Sequence, residues 1–169
     1  MHHAIGVKNA PVFTSKTDDF HKKKLKYGAP LTSSPAAADT IAAHFRDTGR
    51  TPADYDLIVT GDLGKLGSTL LLELLRQEGM TMTNHADCGC LIFDPQKQDV
   101  HCGGSGCGCC ASVLTGYLLP GLAAGKWKNI LFCPTGALHS PTACSQGESI
   151  PGICHALAIS AREGKEWSM

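Results

Sequence analysis

"VHCGGSGCGCCASVLTGYLLPGLAAG", residues 100–125, is the stretch on which the fold turns. It opens on interleaved glycines and cysteines, runs on into an apolar segment, and holds no charge if His101 is neutral. Four readings compete for it: a metal or cluster cradle, a phosphate loop, a thiol active site, or the tightly packed head of a buried helix. A membrane span takes about 20 apolar residues in succession. Here glycines recur, Pro120 interrupts, and only the second half is strongly apolar. A helix over 107–124, covered by protein on nearly every side, fits better, because an element without a polar face belongs in an interior.

The segments around it supply the partners such a helix needs. "NILFCPTGA" (129–137) and "ICHALAIS" (153–160) read as strands downstream, and "YDLIVTG" (55–61) as a buried strand upstream. Residues 67–79 have a helical period, with Leu70, Leu71, Leu74 and Leu75 inward and Glu73, Arg76 and Gln77 outward. Ser34 and Pro35 open an earlier helix as a hydroxyl cap and a first-turn proline. Ala38, Ile41, Ala42 and Phe45 share one face of that helix, and Gly49 stands where a terminating glycine belongs. "HHAIGVKNAPVF" supplies one strand near the start, and 16–31 is a polar, basic linker. The order β-α-β-α-loop-α-β-β predicts an α/β layer fold with a mostly parallel sheet.

Bulk composition narrows the function. A chain of 169 residues, 43% hydrophobic and 18% charged, suffices for one globular domain. Its formal net charge of zero argues against a nucleic-acid binder, which carries a basic face. Lys22, Lys23, Lys24 and Lys26 form a small basic run, read as solvated linker, with contact to anionic lipid heads as the sharper alternative. Nine cysteines are an odd number, and the start has no secretory pattern; the expectation is a reducing interior where thiols act as small hydrophobes.

Most chemical motifs fail on spacing. Cys102, Cys107 and Cys110 match C-x4-C-x2-C, with Cys133 or Cys144 as a fourth iron–sulfur ligand, but they open an apolar helix rather than an open loop. A zinc site needs two well-spaced pairs, and Cys88 and Cys90 have one residue between them. Residues 106–111 satisfy G-x-G-x-x-A, yet Lys126 and Lys128 stand where a ribose-binding acid is required. In "GDLGKLGS" the lysine precedes leucine instead of serine or threonine, and in "GESIPG" Pro151 replaces the glycine of a nucleophile elbow. Cys133 with His139, or Cys144 with His155, are conceivable thiol–imidazole pairs; inert buried thiols are the commoner outcome. His44 and His85 read as ordinary surface histidines. What survives is general: a glycine-rich lead into a helix turns backbone N–H groups outward, which favours a carboxylate or phosphate.

Taken together, "PAAADTI", "YDLIVTGDLGKLG", "DCG", "QDVHCGGSGCGCCASVLTGYLL" and "ILFCPTGALHSPTACSQGESIPGICHALAIS" resemble, in order, the second half of the stage V sporulation protein AD family of the thiolase-like superfamily. The resemblance covers about 35–160; 1–33 match poorly, so the expected division is an N-terminal strand and basic linker (1–33) and a C-terminal half-domain (34–169). It implies a thiolase-like layered α/β fold, here as one half: a mixed sheet with helices on both faces and the 107–124 helix in the shared central layer. The nucleophilic cysteine of the catalytic relatives lies in the other half, so no residue here inherits it. Where those enzymes place helper groups, this chain has Asp62 and Ser105, which do not form a carbanion-stabilising oxyanion pair.

The resemblance further implies a non-catalytic component of the system that moves dipicolinic acid (pyridine-2,6-dicarboxylate) into the developing spore, binding that ligand free or as its calcium chelate. Expected partners are the membrane proteins of the same system, from a cytoplasmic position peripheral to the inner spore membrane; no cofactor or metal is implied. The candidate ligand-binding residues are His101, Ser105, Gly106 and Cys107 at the loop, Asp62 after one strand, and Thr135, Gly136 and His139 after the next. The alternatives are a residual acyltransferase or thioesterase using a cysteine, and an iron–sulfur or zinc module. A central helix built for two sheets leaves one side uncovered in a half-length chain, which predicts self-association or pairing with a separate first half.

Overall fold

A computed structural model of the chain describes residues 5–7, 13–14, 29–137, 141–146 and 152–161. In chain order the elements are β1 (Ile5–Val7), β2 (Phe13–Thr14), α1 (Ala29–Thr48), β3 (Leu57–Thr60), α2 (Gly64–Gln77), β4 (His85–Asp87) and α3 (Cys88–Leu91). There follow α4 (Cys109–Val113), a π-helical turn (Leu114–Leu118), α5 (Leu119–Ala123), β5 (Asn129–Cys133), β6 (Thr135–Ala137), α6 (Pro141–Ser145) and β7 (Gly152–Ala161). The sheet runs β1-β7-β5-β3-β4, with β4, β3 and β5 parallel and β7 antiparallel to both β5 and β1; β2 and β6 also pair with β7.

Strand side chains alternate cleanly between two cores, as a period of two dictates. Ile58, Leu131, Cys133, Cys154, Ala156 and Ala158 face α1 and α2, meeting Ile41, Phe45, Leu71 and Leu75. Val59, Ile130, Phe132 and Ile159 face the other way, onto Cys109, Val113, Leu118 and Leu122. The outcome is a mixed sheet with helices on both faces, which is why its central strands read as continuous apolar runs rather than alternating ones. Small residues let the helices close: Ser34 donates to the Gly67 carbonyl at 2.9 Å, and Thr40 to the Cys154 carbonyl at 3.3 Å.

Several sequence readings need correction. α1 begins at Ala29, not at Ser34–Pro35; Pro35 lies inside the helix, and the Ser34 hydroxyl bonds across to α2 instead of capping its own helix. Packing of this helix against α2 and β7 outweighs the backbone hydrogen bond that proline removes. α2 begins at Gly64 rather than at 67. The loop-rich region around "DCGC" contains β4 and α3, and the strand over 129–137 is broken by Pro134 into β5 and β6. His44 is fully buried, its Nε2 2.7 Å from the Tyr55 hydroxyl, and His85 is a strand residue with its Nε2 2.9 Å from Thr60 Oγ1.

The helix over 107–124 departs from the reading that protein covers it on nearly every side, and has the uncovered side expected of a half-length chain. It is helical from Cys109 to Ala123, and only one side is covered: Cys109, Val113, Leu118 and Leu122 are buried, while Ala111, Ser112, Thr115, Gly116, Tyr117 and Pro120 face out. One sheet, not two, packs against it in this chain. Among the described residues no helix is long and apolar enough to cross a membrane. The basic run at 22–26, His139 and residues 147–151 of "GESIPG" lie outside the described residues, as does the side chain of Cys144.

Candidate functional site

At the carboxyl edge of the three parallel strands, the segments after β3, β4 and β5 converge with the glycine-rich loop. β3 is followed by Gly61, whose Cα sits so close to Thr135 that a β-carbon there would collide with the threonine's side chain and amide. Gly89, just after β4, donates to the Gly61 carbonyl at 3.1 Å, and Gly104 donates to the Gly89 carbonyl at 2.7 Å. The loop is thereby stitched to the α3 turn, and the stitching depends on missing side chains. A β-carbon on Gly103 (φ +116°) would strike the Gly89 carbonyl, and one on Gly104 would strike Ile92 and Phe93.

Asp62 lies at the focus. Ser105 Oγ donates to Asp62 Oδ2 at 2.6 Å, the Gly106 amide donates to the same oxygen at 2.9 Å, and the Asp62 amide donates to Thr135 Oγ1 at 3.3 Å. Asp62 and Thr135 are half-buried; Ser105, Gly106 and Cys107 are exposed. The loop's outward donors therefore hold a carboxylate, supplied by the chain itself.

Behind this lies a buried support. Asp87 accepts from the Leu63 amide at 3.0 Å, the Gly64 amide at 2.9 Å and the Thr60 hydroxyl at 2.8 Å. It thus holds the amides at the start of α2 from another strand, where negative charge is favoured. The Thr60 hydroxyl has one proton, which goes to Asp87, so His85 Nε2 must donate to Thr60; burial holds His85 down at about 4, in its neutral form. Burial also raises Asp87, against the pull of its hydrogen bonds.

Thiols surround the same place. The neighbouring Cys110 thiol, and then burial, push the Cys88 thiol far up. Cys110 is half-buried; the Cys88 thiol, and then the Thr135 amide, hold it below the ordinary thiol range. Burial lifts Cys109 to about 11 and also raises Cys90. Among the described residues no three His, Cys, Asp or Glu side chains form a group that would hold a metal.

The structure thus brings together Asp62, Ser105, Gly106 and Thr135 of the residues singled out by sequence. Cys107 sits at the exposed rim and Gly136 is half-buried on β6, beside Ile153. His101 stands apart at an exposed turn with φ +45°, its Nε2 3.7 Å from Asp99. Sequence reasoning missed Asp87, Cys88 and Cys110 as a supporting layer; the "DC" at a strand end was the available signal.

Sheet, flanking helices and edge loops define a layered α/β protein, of the kind that the sequence motifs resemble within the thiolase-like superfamily. Residues 10–160 match the family described as Stage V sporulation protein AD (SpoVAD), and the chain belongs to that family. It is 46% identical over 132 residues to Stage V sporulation protein AD of Bacillus subtilis (strain 168), a match covering 78% of this chain and 39% of that protein. The chain thus spans well under half the length of that curated relative. The crystal structure of 3-oxoacyl-[acyl-carrier-protein] synthase III from Aquifex aeolicus VF5 overlaps it with a TM-score of 0.42 and 14% identity, covering 83% of this chain and 41% of that one.

Proposed function

We propose that this chain is a non-catalytic, ligand-binding part of the sporulation machinery that handles dipicolinic acid, and that the edge around Asp62 takes one of the ligand's carboxylates. One observation carries the reading: the Ser105 hydroxyl and Gly106 amide already hold a carboxylate oxygen, at 2.6 and 2.9 Å. A ligand carboxylate meets the same two donors when Asp62 swings aside, and a calcium chelate brings a cation that Asp62 itself can face. Ile92 and Phe93, both exposed, border the loop at Gly104 and offer apolar surface to the pyridine ring. In this reading the chain works beside the membrane proteins of the uptake system, at the inner spore membrane, and associates through the open side of α4–α5.

Calorimetric titration with pyridine-2,6-dicarboxylate, with and without calcium, tests the reading. Saturable heat is expected, with affinity falling about fivefold in Ser105→Ala, which removes one hydrogen bond worth ~1 kcal/mol. Silence at millimolar ligand from a folded sample overturns it. A second reading, residual acyl transfer, is favoured by the Cys110 thiol held below its ordinary range. It requires rapid iodoacetamide labelling of Cys110 that an acyl-coenzyme A blocks.

A further inference from the structure

We infer that Asp62 is a built-in competitor for the ligand: its carboxylate occupies the Ser105 and Gly106 donors, and a ligand carboxylate reaches them only when that side chain rotates away. The inference rests on the proposed site and adds its regulation. Both donors meet one oxygen, Asp62 Oδ2, at 2.6 and 2.9 Å, the lengths at which they would hold any carboxylate. No cation backs the contact, since the ion pairs among the described residues do not include Asp62. Ser105 and Gly106 are exposed and Asp62 is half-buried, so the contact lies where an outside carboxylate can arrive.

Asp62 has two conceivable roles here, and its surroundings separate them. A strut would hold the loop in place, whereas a competitor would only occupy donors that are placed without it. The loop is fixed by bonds that bypass Asp62. The Gly104 amide donates to the Gly89 carbonyl at 2.7 Å, the Gly103 amide to the Val100 carbonyl at 2.8 Å, and the Lys65 amide to the Cys102 carbonyl at 2.8 Å. Just past the donors, the Cys109 amide donates to the Gly106 carbonyl at 3.0 Å. The turn that carries Asp62 is fixed as well. Its own amide donates to Thr135, and the next two amides, of Leu63 and Gly64, donate to buried Asp87. Loop and turn are both set, and the Asp62 side chain is the part that can change rotamer without moving either.

The energetic consequence follows from exchange. A ligand carboxylate takes the two donors by displacing one already there, and it meets like charge as it arrives. Its apparent affinity is reduced by the fraction of chains whose donors are open.

Calorimetric titration of the full chain with pyridine-2,6-dicarboxylate, comparing wild type with Asp62→Ala, tests the inference. Calcium is left out of the buffer because it would itself draw on Asp62. The expected result is a dissociation constant at least about fivefold lower in the variant, the equivalent of one net hydrogen bond no longer lost to Asp62. Its melting temperature should stay close to that of the wild type. Asp62→Asn keeps an oxygen for the donors but removes the charge; its constant is expected between the two, and its direction decides if the alanine variant does not fold. Unchanged or weaker binding in a folded variant overturns the competitor and leaves the proposed site standing, with Asp62 as a strut or a ligand-facing group. Absence of binding by the wild type and both variants overturns the site and the competitor together.

Discussion

Gly103 and Gly108 sit five positions apart in one glycine-rich run and answer to different physics. Gly103 has φ +116° and abuts the Gly89 carbonyl, whereas Gly108 has φ −96°, which any residue adopts, and open space where a β-carbon would go. Gly103→Ala is therefore expected to lower stability by at least ~1–3 kcal/mol. Gly108→Ala should stay within about 1 kcal/mol, on the stabilising side, since it restricts only the unfolded chain; urea midpoints for both variants check this. The run is conspicuous in the sequence, but which glycine is indispensable depends on the 88–93 turn that packs on it, and a remote partner leaves no mark in local spacing. His85 carries a pH-dependent share of stability. Its folded value is about 4 against the ordinary 6.5, so across that window the unfolded chain binds more protons, and stability rises with pH by up to ~3 kcal/mol. Asp87, raised by burial, works in the opposite sense as pH climbs through its own range, and His44, depressed by burial, works in the same sense as His85. Melting temperatures at the two ends of the window should thus rise with pH, and His85→Gln, which keeps a donor for Thr60, should remove most of the rise. An unchanged slope would place the effect elsewhere.

Among the elements, the helix from Cys109 to Ala123 shows how a regular period can mislead. Its buried residues fall at 109, 113, 118 and 122, and the step of five from Val113 to Leu118 does not fit an α-helix. An undistorted helix would bring Gly116 or Tyr117 inward. The π-turn over Leu114–Leu118 absorbs the extra residue, and Pro120, which has no N–H to donate, follows in the first turn of α5. Leu118→Ala is expected to cost ~2–5 kcal/mol, the usual range for a fully buried leucine. Thr115→Ala, one turn earlier on the open side, should move stability by less than ~0.5 kcal/mol. Chemical denaturation of the two variants tests the phase directly; equal losses would mean that the helix is rotated. The three long apolar strands were legible because burial on both faces leaves a solid hydrophobic run, as in "LIVT" and "NILFC". The start of α1 was not, since Ser34 and Pro35 have the local chemistry of a helix cap while tertiary contact with Gly67 uses the serine otherwise.

For the whole molecule, the open side of that helix is the surface left uncovered. Ala111, Ser112, Thr115 and Gly116 line it with small, uncharged side chains, and Lys126 is drawn onto Tyr117 and Trp127 at 4.6 and 4.5 Å from their rings. The coverage expected from the sequence was right about composition: a face without charge and with little bulk is what close helix approach requires. Coverage on nearly every side is not met because one sheet supplies one layer, and the side left open is the one expected of a half-length chain. Association through this face is the expected remedy, either between two copies of the chain or with a polypeptide corresponding to the rest of a full-length relative. Sedimentation should show a species heavier than one chain, its proportion rising with concentration. Ser112→Glu leaves the buried side of the helix untouched, so the fold should survive with its melting temperature nearly unchanged. A buried, unpaired carboxylate at the joint should raise the dissociation constant at least about tenfold. If the wild-type chain sediments as a single copy at every concentration, and an added full-length relative does not bind it, the small uncharged face is ordinary surface and the packing argument for it fails.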